Sequence, residues 1–133
     1  MATSSSRSVA VVVAILCLSG PALAGPPDPS VASREGLGRI LVDGAGRTLY
    51  VFKKDQAGQS ACLGDCVARW PVYLAEGAPG AGLKAEDFGT ITRSDGKRQT
   101  TYKGMPLYHF AADQAPGDAK GQGMKDVWFA AVP

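Results

Sequence analysis

One spelling occurs twice in this chain: Leu49–Gly58 reads LYVFKKDQAG, and LYHFAADQAPG begins at Leu107. At an offset of 58 residues Gly46 meets Gly104, Leu49 meets Leu107, Tyr50 meets Tyr108 and Phe52 meets Phe110. Asp55-Gln56-Ala57 meets Asp113-Gln114-Ala115, and Trp70 meets Trp128. Agreement in order over so many positions reads as an internal duplication, with units at about 38–75 and 96–133 of one domain covering 37–133. Neither unit is long enough to bury a core alone, so the two must pack on each other about a pseudo-twofold axis. Residues two apart on a strand share a face. Tyr50 with Phe52, and Tyr108 with Phe110, therefore turn the same way, into a core or, in the alternative, along an aromatic-lined ligand groove.

Turn chemistry supplies the elements. DGAG separates two runs rich in Leu, Val, Ile and aromatics in GRILVDGAGRTLYVF, a hairpin signal. GTITRSDGKRQTTY signals a second hairpin turning at Ser94–Lys97, the chain turns again at Lys103-Gly104, and DVWFAAV closes it as a last apolar strand. Short helices are expected around 63–70 and 83–88. The expected class is mainly β: two pseudo-symmetric antiparallel β units packed together, with one or two short helices. The 17 Gly and 9 Pro agree with many turns, while 45% hydrophobic residues allow a core.

The N-terminus reads as a targeting segment. Arg7 supplies the positive charge, VAVVVAILCL from Val9 is apolar but too short to span a bilayer, and Ala22-Leu23-Ala24 is a small-x-small cleavage site. Residues 1–24 are thus expected to be a signal peptide. A lipid anchor needs cysteine directly after a small residue at the cleavage site, and Cys17 follows Leu16 instead. The mature protein is expected to be soluble, in the periplasm or outside the cell, with no transmembrane span after cleavage. Residues 25–36, rich in Pro and Ser and without periodicity, read as a flexible tail.

Loss of Cys17 with the leader leaves Cys62 and Cys66, and export makes their disulfide the expected state. Gly64-Asp65 provides the turn, and so short a loop stabilises by only about 2 kcal/mol on the chain-entropy model. Asp55 stands three residues before Gly58, so its carboxylate is read as a turn cap accepting backbone N–H groups. A metal or acid/base pair made by Asp55 and Asp113 would require the two strand ends to meet. Gly121-Gln122-Gly123 reads as loop flexibility.

Tyr50-x-Phe-x-x-Asp55 and Tyr108-x-Phe-x-x-Asp113 occur with GRTLY, CLGDC before WP, GTITRSDG, TYKGMPLYHF, PGDAKGQG and VWF. Together, from about Leu37 to the C-terminus, these resemble the bacterial family of predicted lipoproteins with a Yx(FWY)xxD motif, also called the secreted repeat of unknown function. The resemblance implies export to the bacterial envelope and a tandem-repeat domain. It names no activity. This chain departs from the family in its lack of a lipid-attachment cysteine, and in His109, where an aromatic or aliphatic residue is usual.

His109 is the only histidine, and on a strand it shares a face with Leu107 and Met105. Met105 and His109 with Met124 or the reduced cysteines form the alternative reading, an envelope copper-binding or thiol redox protein. One histidine does not supply the imidazoles of most zinc or copper enzymes, and Cys-x-x-x-Cys lacks thioredoxin spacing. No nucleophile motif, phosphate loop or dinucleotide fingerprint is present. A formal charge of +2, lowered by one when Arg7 leaves, gives no footprint for nucleic acid. The expected function is a non-catalytic binding or interaction module without cofactor, taking an envelope partner or a small ligand. Mass spectrometry of the exported protein should find an N-terminus at Gly25; a retained Met1, or a lipid on Cys17, would contradict the reading of the leader.

Overall fold

The computed structural model describes Ala10 and residues 26–133. The expected cleavage point and, apart from Ala10, the leader lie outside the described residues. The elements are β1 Ser30–Arg34, β2 Gly38–Val42, β3 Tyr50–Phe52, helix α1 Asp65–Arg69, β4 Phe88–Thr92, β5 Arg98–Tyr102, β6 Met105–Pro106 and β7 Trp128–Ala130. Single 3-10 turns occur at Ala85–Asp87 and Met124–Asp126. The protein is mainly β, built of small antiparallel sheets, as its turn signals suggest.

The two repeats meet on backbone. Tyr50 N–H donates to the Tyr108 carbonyl at 2.8 Å, and Tyr108 N–H returns a bond to the Tyr50 carbonyl at 2.9 Å. The pseudo-twofold axis passes through this reciprocal pair. Outward from it, Tyr50 pairs with Ala130 and Tyr108 bridges to Val72, so four short segments run in the order 72, 108, 50, 130. The hydrogen bonds repeat on both sides: Ala131 N–H to Leu49 O (2.8 Å) answers Tyr73 N–H to Leu107 O (3.0 Å). Lys53 N–H to Val127 O (2.8 Å) likewise answers Ala111 N–H to Arg69 O (2.9 Å).

Side-chain alternation along these segments separates two cores. Leu41, Leu49, Tyr73, Leu107 and Ala131 pack into one, while Tyr50, Phe52, Cys62, Trp70, Tyr108 and Trp128 form the other. Tyr50 and Tyr108 are completely buried. Burial of this kind contributes about 1.5–3 kcal/mol per large apolar side chain.

Three expectations are corrected. The described part of the expected 25–36 tail, from residue 26, is not loose, because β1 pairs along its length with β2, from Ser30 opposite Val42 to Arg34 opposite Gly38. Asp28 anchors it, accepting from the Tyr73 hydroxyl, from Glu76 N–H at 2.9 Å and from Gly44 N–H at 3.1 Å. The DGAG segment does turn the chain, with Asp43 N–H donating to Arg47 O at 2.9 Å, but only Thr48 and Leu49 stay against β2. β3 leaves to pair with β7, since Tyr50 and Phe52 gain more from the aromatic core than from a two-stranded ribbon. The β4–β5 hairpin and the β5–β6 turn form as their sequences signal.

Gly121 is the third correction. A Cβ placed there would lie 2.6 Å from the Trp70 ring and 3.0 Å from the Tyr50 ring, so this glycine serves close packing rather than loop mobility. Gly121→Ala should therefore destabilise by roughly 1–3 kcal/mol, the cost of overpacking, in a chemical denaturation curve. Gly123→Ala should act through its left-handed backbone (φ 75°) alone, since nothing stands within 4 Å of a Cβ there.

Candidate functional site

The aromatic core is itself a symmetric object. Phe52 stacks on Trp128 with ring centroids 4.1 Å apart, Trp128 on Trp70 at 3.8 Å, and Trp70 on Phe110 at 4.2 Å. The pseudo-twofold axis exchanges the two halves of this column. Tyr50 and Tyr108 brace it edge-on, at 5.3 Å from Trp70 and 5.1 Å from Trp128 respectively. Each such pair contributes about 0.5–1.5 kcal/mol beyond its buried area.

Below the column the two tyrosines cross the repeat boundary. Tyr50 donates its hydroxyl proton to Asp113 Oδ2 at 2.6 Å, and Tyr108 donates to Asp55 Oδ2 at the same distance. The second carboxylate oxygens accept backbone N–H groups, Ala61 to Asp55 at 2.6 Å and Lys120 to Asp113 at 2.9 Å. Asp55 thus caps backbone, as its turn position suggests, but of a later residue than the Gln56–Gly58 turn. The Asp55–Asp113 pairing weighed from sequence is not formed as such; each carboxylate is occupied by the other repeat's tyrosine. Burial pushes both phenols well above the usual tyrosine range, reinforced by the carboxylate that accepts each proton.

One repeat carries an additional arm. The Arg93 guanidinium, wholly buried, donates to Ser60 Oγ at 2.6 Å, to Gln99 Oε1 at 2.8 Å, to the Cys62 carbonyl and to Asp95 at 3.1 Å. Ser60 Oγ lies 2.6 Å from the Tyr108 hydroxyl, so Asp55, Tyr108, Ser60 and Arg93 form one hydrogen-bonded chain. Arg93 was not singled out by sequence, where a surface Arg in a hairpin turn looks the same. Cys62 and Cys66 are joined, with Cα atoms 5.3 Å apart, and Cys62 packs in the aromatic core.

Two clefts open beside these features. One, of about 470 Å³, lies over the column across the pseudo-twofold axis and is reached by Phe52, Trp70, Phe110 and Trp128. Lys54, Arg69, Lys125 and Asp65 rim it, with Cys66 and Met124 at equivalent places in the two repeats. Of the four motif aromatics, Tyr50 and Tyr108 are wholly buried in the core, while Phe52 and Phe110 pack in the core and also line the cleft. The other cleft, of about 940 Å³, is lined by Asp28, Asp43, Tyr73, Glu76 and His109 among others. There His109 Nε2 stands 2.8 Å from Asp43 Oδ2, and its ring sits edge-on to Tyr73 at 5.5 Å.

The structure does not bring the residues of the copper reading into one environment. His109 faces Asp43 and Tyr73, whereas Cys62, Cys66 and Met124 border the aromatic core or its cleft. Met105 lies in β6 beside the β5 turn. Among the described residues no cluster of three or more His, Cys, Asp or Glu is placed to hold a metal ion.

The fold and site define a class: an internally duplicated β domain whose halves share one aromatic core. The chain belongs to the family described as a secreted repeat of unknown function, whose model matches residues 31–73 and again 89–132. Both matched spans begin upstream of Gly38 and Gly96, because the repeat takes in the first strand of a hairpin, β1 in one copy and β4 in the other. A comparison with curated proteins and one with solved structures gave no match.

Burial raises the Asp55 carboxyl above its ordinary value, against the lowering effect of the bonds from Ala61 and Tyr108 and of the Arg93 charge. A carboxyl raised in the folded state holds more protons folded than unfolded. Its contribution favours folding below the ordinary carboxylate value and is lost as pH rises through the raised one. Asp95, held down chiefly by Arg93, and Asp118, held down by the N–H groups of Gln114 and Ala115, act in the opposite sense. Both are common to wild type and Asp55→Asn. The stability of wild type minus that of Asp55→Asn should therefore fall as pH rises through that window, measured by urea denaturation; a difference that grows with pH would refute it.

Proposed function

We propose that this protein is an exported, non-catalytic binding module of the bacterial envelope, which takes a small ligand in the cleft across its pseudo-twofold axis. The observation that carries this reading is the aromatic column, whose edges form the floor of a cleft contributed by both repeats. About 470 Å³ falls within the range of small-molecule sites, which are apolar surfaces with a few polar groups at the rim. A column serving only as core has no need of an opening along its edge. Export is supported by the leader-like N-terminus and by the family's description as secreted. No helix among the described residues is long and apolar enough to cross a membrane.

The test is a titration of the oxidised mature protein with a library of aromatic and aliphatic fragments, followed by amide and indole N–H chemical shifts. Binding should move the indole signals of Trp70 and Trp128 and the amides of Arg69 and Phe110, and raise thermal stability by about 2.7 kcal/mol at 100 times the Kd. Fragments that perturb only the cleft around His109, or none that perturb either, would overturn the assignment of this site.

A further inference from the structure

We infer that the cleft over the aromatic column selects small planar anions of the aromatic carboxylate class, an inference that rests on the binding function proposed above. Its floor is made by the edges of stacked rings, with Phe110 half-buried at one end of the column and the Trp edges beside it. A planar ring finds there the offset and edge contacts that aromatic pairs favour.

The rim supplies the charge. Lys54 follows β3, Arg69 ends α1 and Lys125 sits in the 3-10 turn before β7, so three separate segments bring cations to one opening against the single carboxylate of Asp65. Among the described residues Arg93 pairs with Asp95 and Lys120 with Asp118, and the His109 ring lies against Asp43; none of these contacts draws on the three cations. This excess is local. The sequence as a whole carries only +2, and the other cleft has the opposite balance, Asp28, Asp43 and Glu76 against His109. Charges on the rim of a low-dielectric depression concentrate an oppositely charged ligand more than the same charges dispersed over a surface.

The backbone at the rim points the same way. Lys125 and Asp126 both have left-handed φ, 52° and 58°, which costs energy for residues other than glycine. The turn is held by Val127 N–H to Met124 O at 3.1 Å and by Gly123 N–H to Trp128 O at 2.8 Å. The second bond fixes the Lys125 turn to the Trp128 segment, so the cation and the ring it accompanies are placed by one piece of backbone.

Three matched probes separate shape from charge: naphthalene carboxylate, the neutral naphthalene carboxamide and naphthylmethylammonium, each titrated at low salt with chemical shifts as the readout. The carboxylate should bind at least about fivefold more tightly than the carboxamide, and the ammonium more weakly than either. Replacing Lys54, Arg69 and Lys125 together by Gln should remove the carboxylate's advantage over the carboxamide, both measured in that variant; these side chains are exposed, so the fold is retained. Equal binding of carboxylate and carboxamide at the cleft would overturn the charge selectivity while leaving a binding site in place. Preference for the ammonium, undiminished carboxylate binding in the Gln variant, or no binding by any of the three would overturn the inference outright. The fragment titration described above judges the binding function independently.

Discussion

The reciprocal backbone pair between Tyr50 and Tyr108 is the constraint on which this structure depends. It sets the register of both repeats at once, because shifting a strand by one residue would turn Tyr50 and Phe52 out of the aromatic core and Leu49 into it. With the register fixed, each phenol reaches the opposite repeat's carboxylate, and the four rings fall into a single column. Neither repeat contains a complete hydrogen-bonding partner set for its own tyrosine. The dimer-like joint is therefore specific in direction as well as hydrophobic, since a buried hydroxyl or carboxylate left without its partner costs about 1–3 kcal/mol.

Symmetry stops at the second layer of contacts. The Tyr108 hydroxyl meets Ser60 and through it Arg93, while the Tyr50 hydroxyl accepts the N–H of Gly121 at 3.2 Å. Arg93 ties the β4–β5 turn to the disulfide loop through the Cys62 carbonyl, so the short covalent bridge and the buried guanidinium secure the same segment from two sides. A buried charge is tolerated here because its donors are distributed over a carboxylate, a hydroxyl, an amide oxygen and a carbonyl. The half with this arm is chemically distinct from the half without it, and the cations over the aromatic column break the symmetry again.

What could be read from sequence was whatever repeated or turned. The offset of 58 gave the pseudo-twofold axis and put Tyr50, Phe52, Tyr108 and Phe110 on one face, and Ser94–Lys97 gave a true hairpin. β1 was missed because SVASR lacks any strand signal of its own; it is a strand through its pairing with β2 and the anchoring of Asp28. The Tyr–Asp bonds lay within reach, since a motif that repeats both a tyrosine and an aspartate invites the question of what the hydroxyl does. Local spacing nevertheless could not say that the bonds cross between copies. Gly121 and Arg93 were illegible for a simpler reason: only tertiary packing distinguishes a glycine under a Trp ring from one in a loop, or a buried guanidinium from a solvated one.

The pairing of β3 with β7 joins Tyr50 to Ala130, the third strand in chain order to the last of the described ones. The hairpins β1–β2 and β4–β5 are local and close early, but the segment order 72, 108, 50, 130 is complete only when the last strand is in hand. Trp128 is also one of the two inner rings of the column, so a chain without β7 in place lacks both an edge of the sheet and half of the aromatic centre. The native form therefore waits on β7, and until that strand docks the two local hairpins present apolar faces with nothing to cover them.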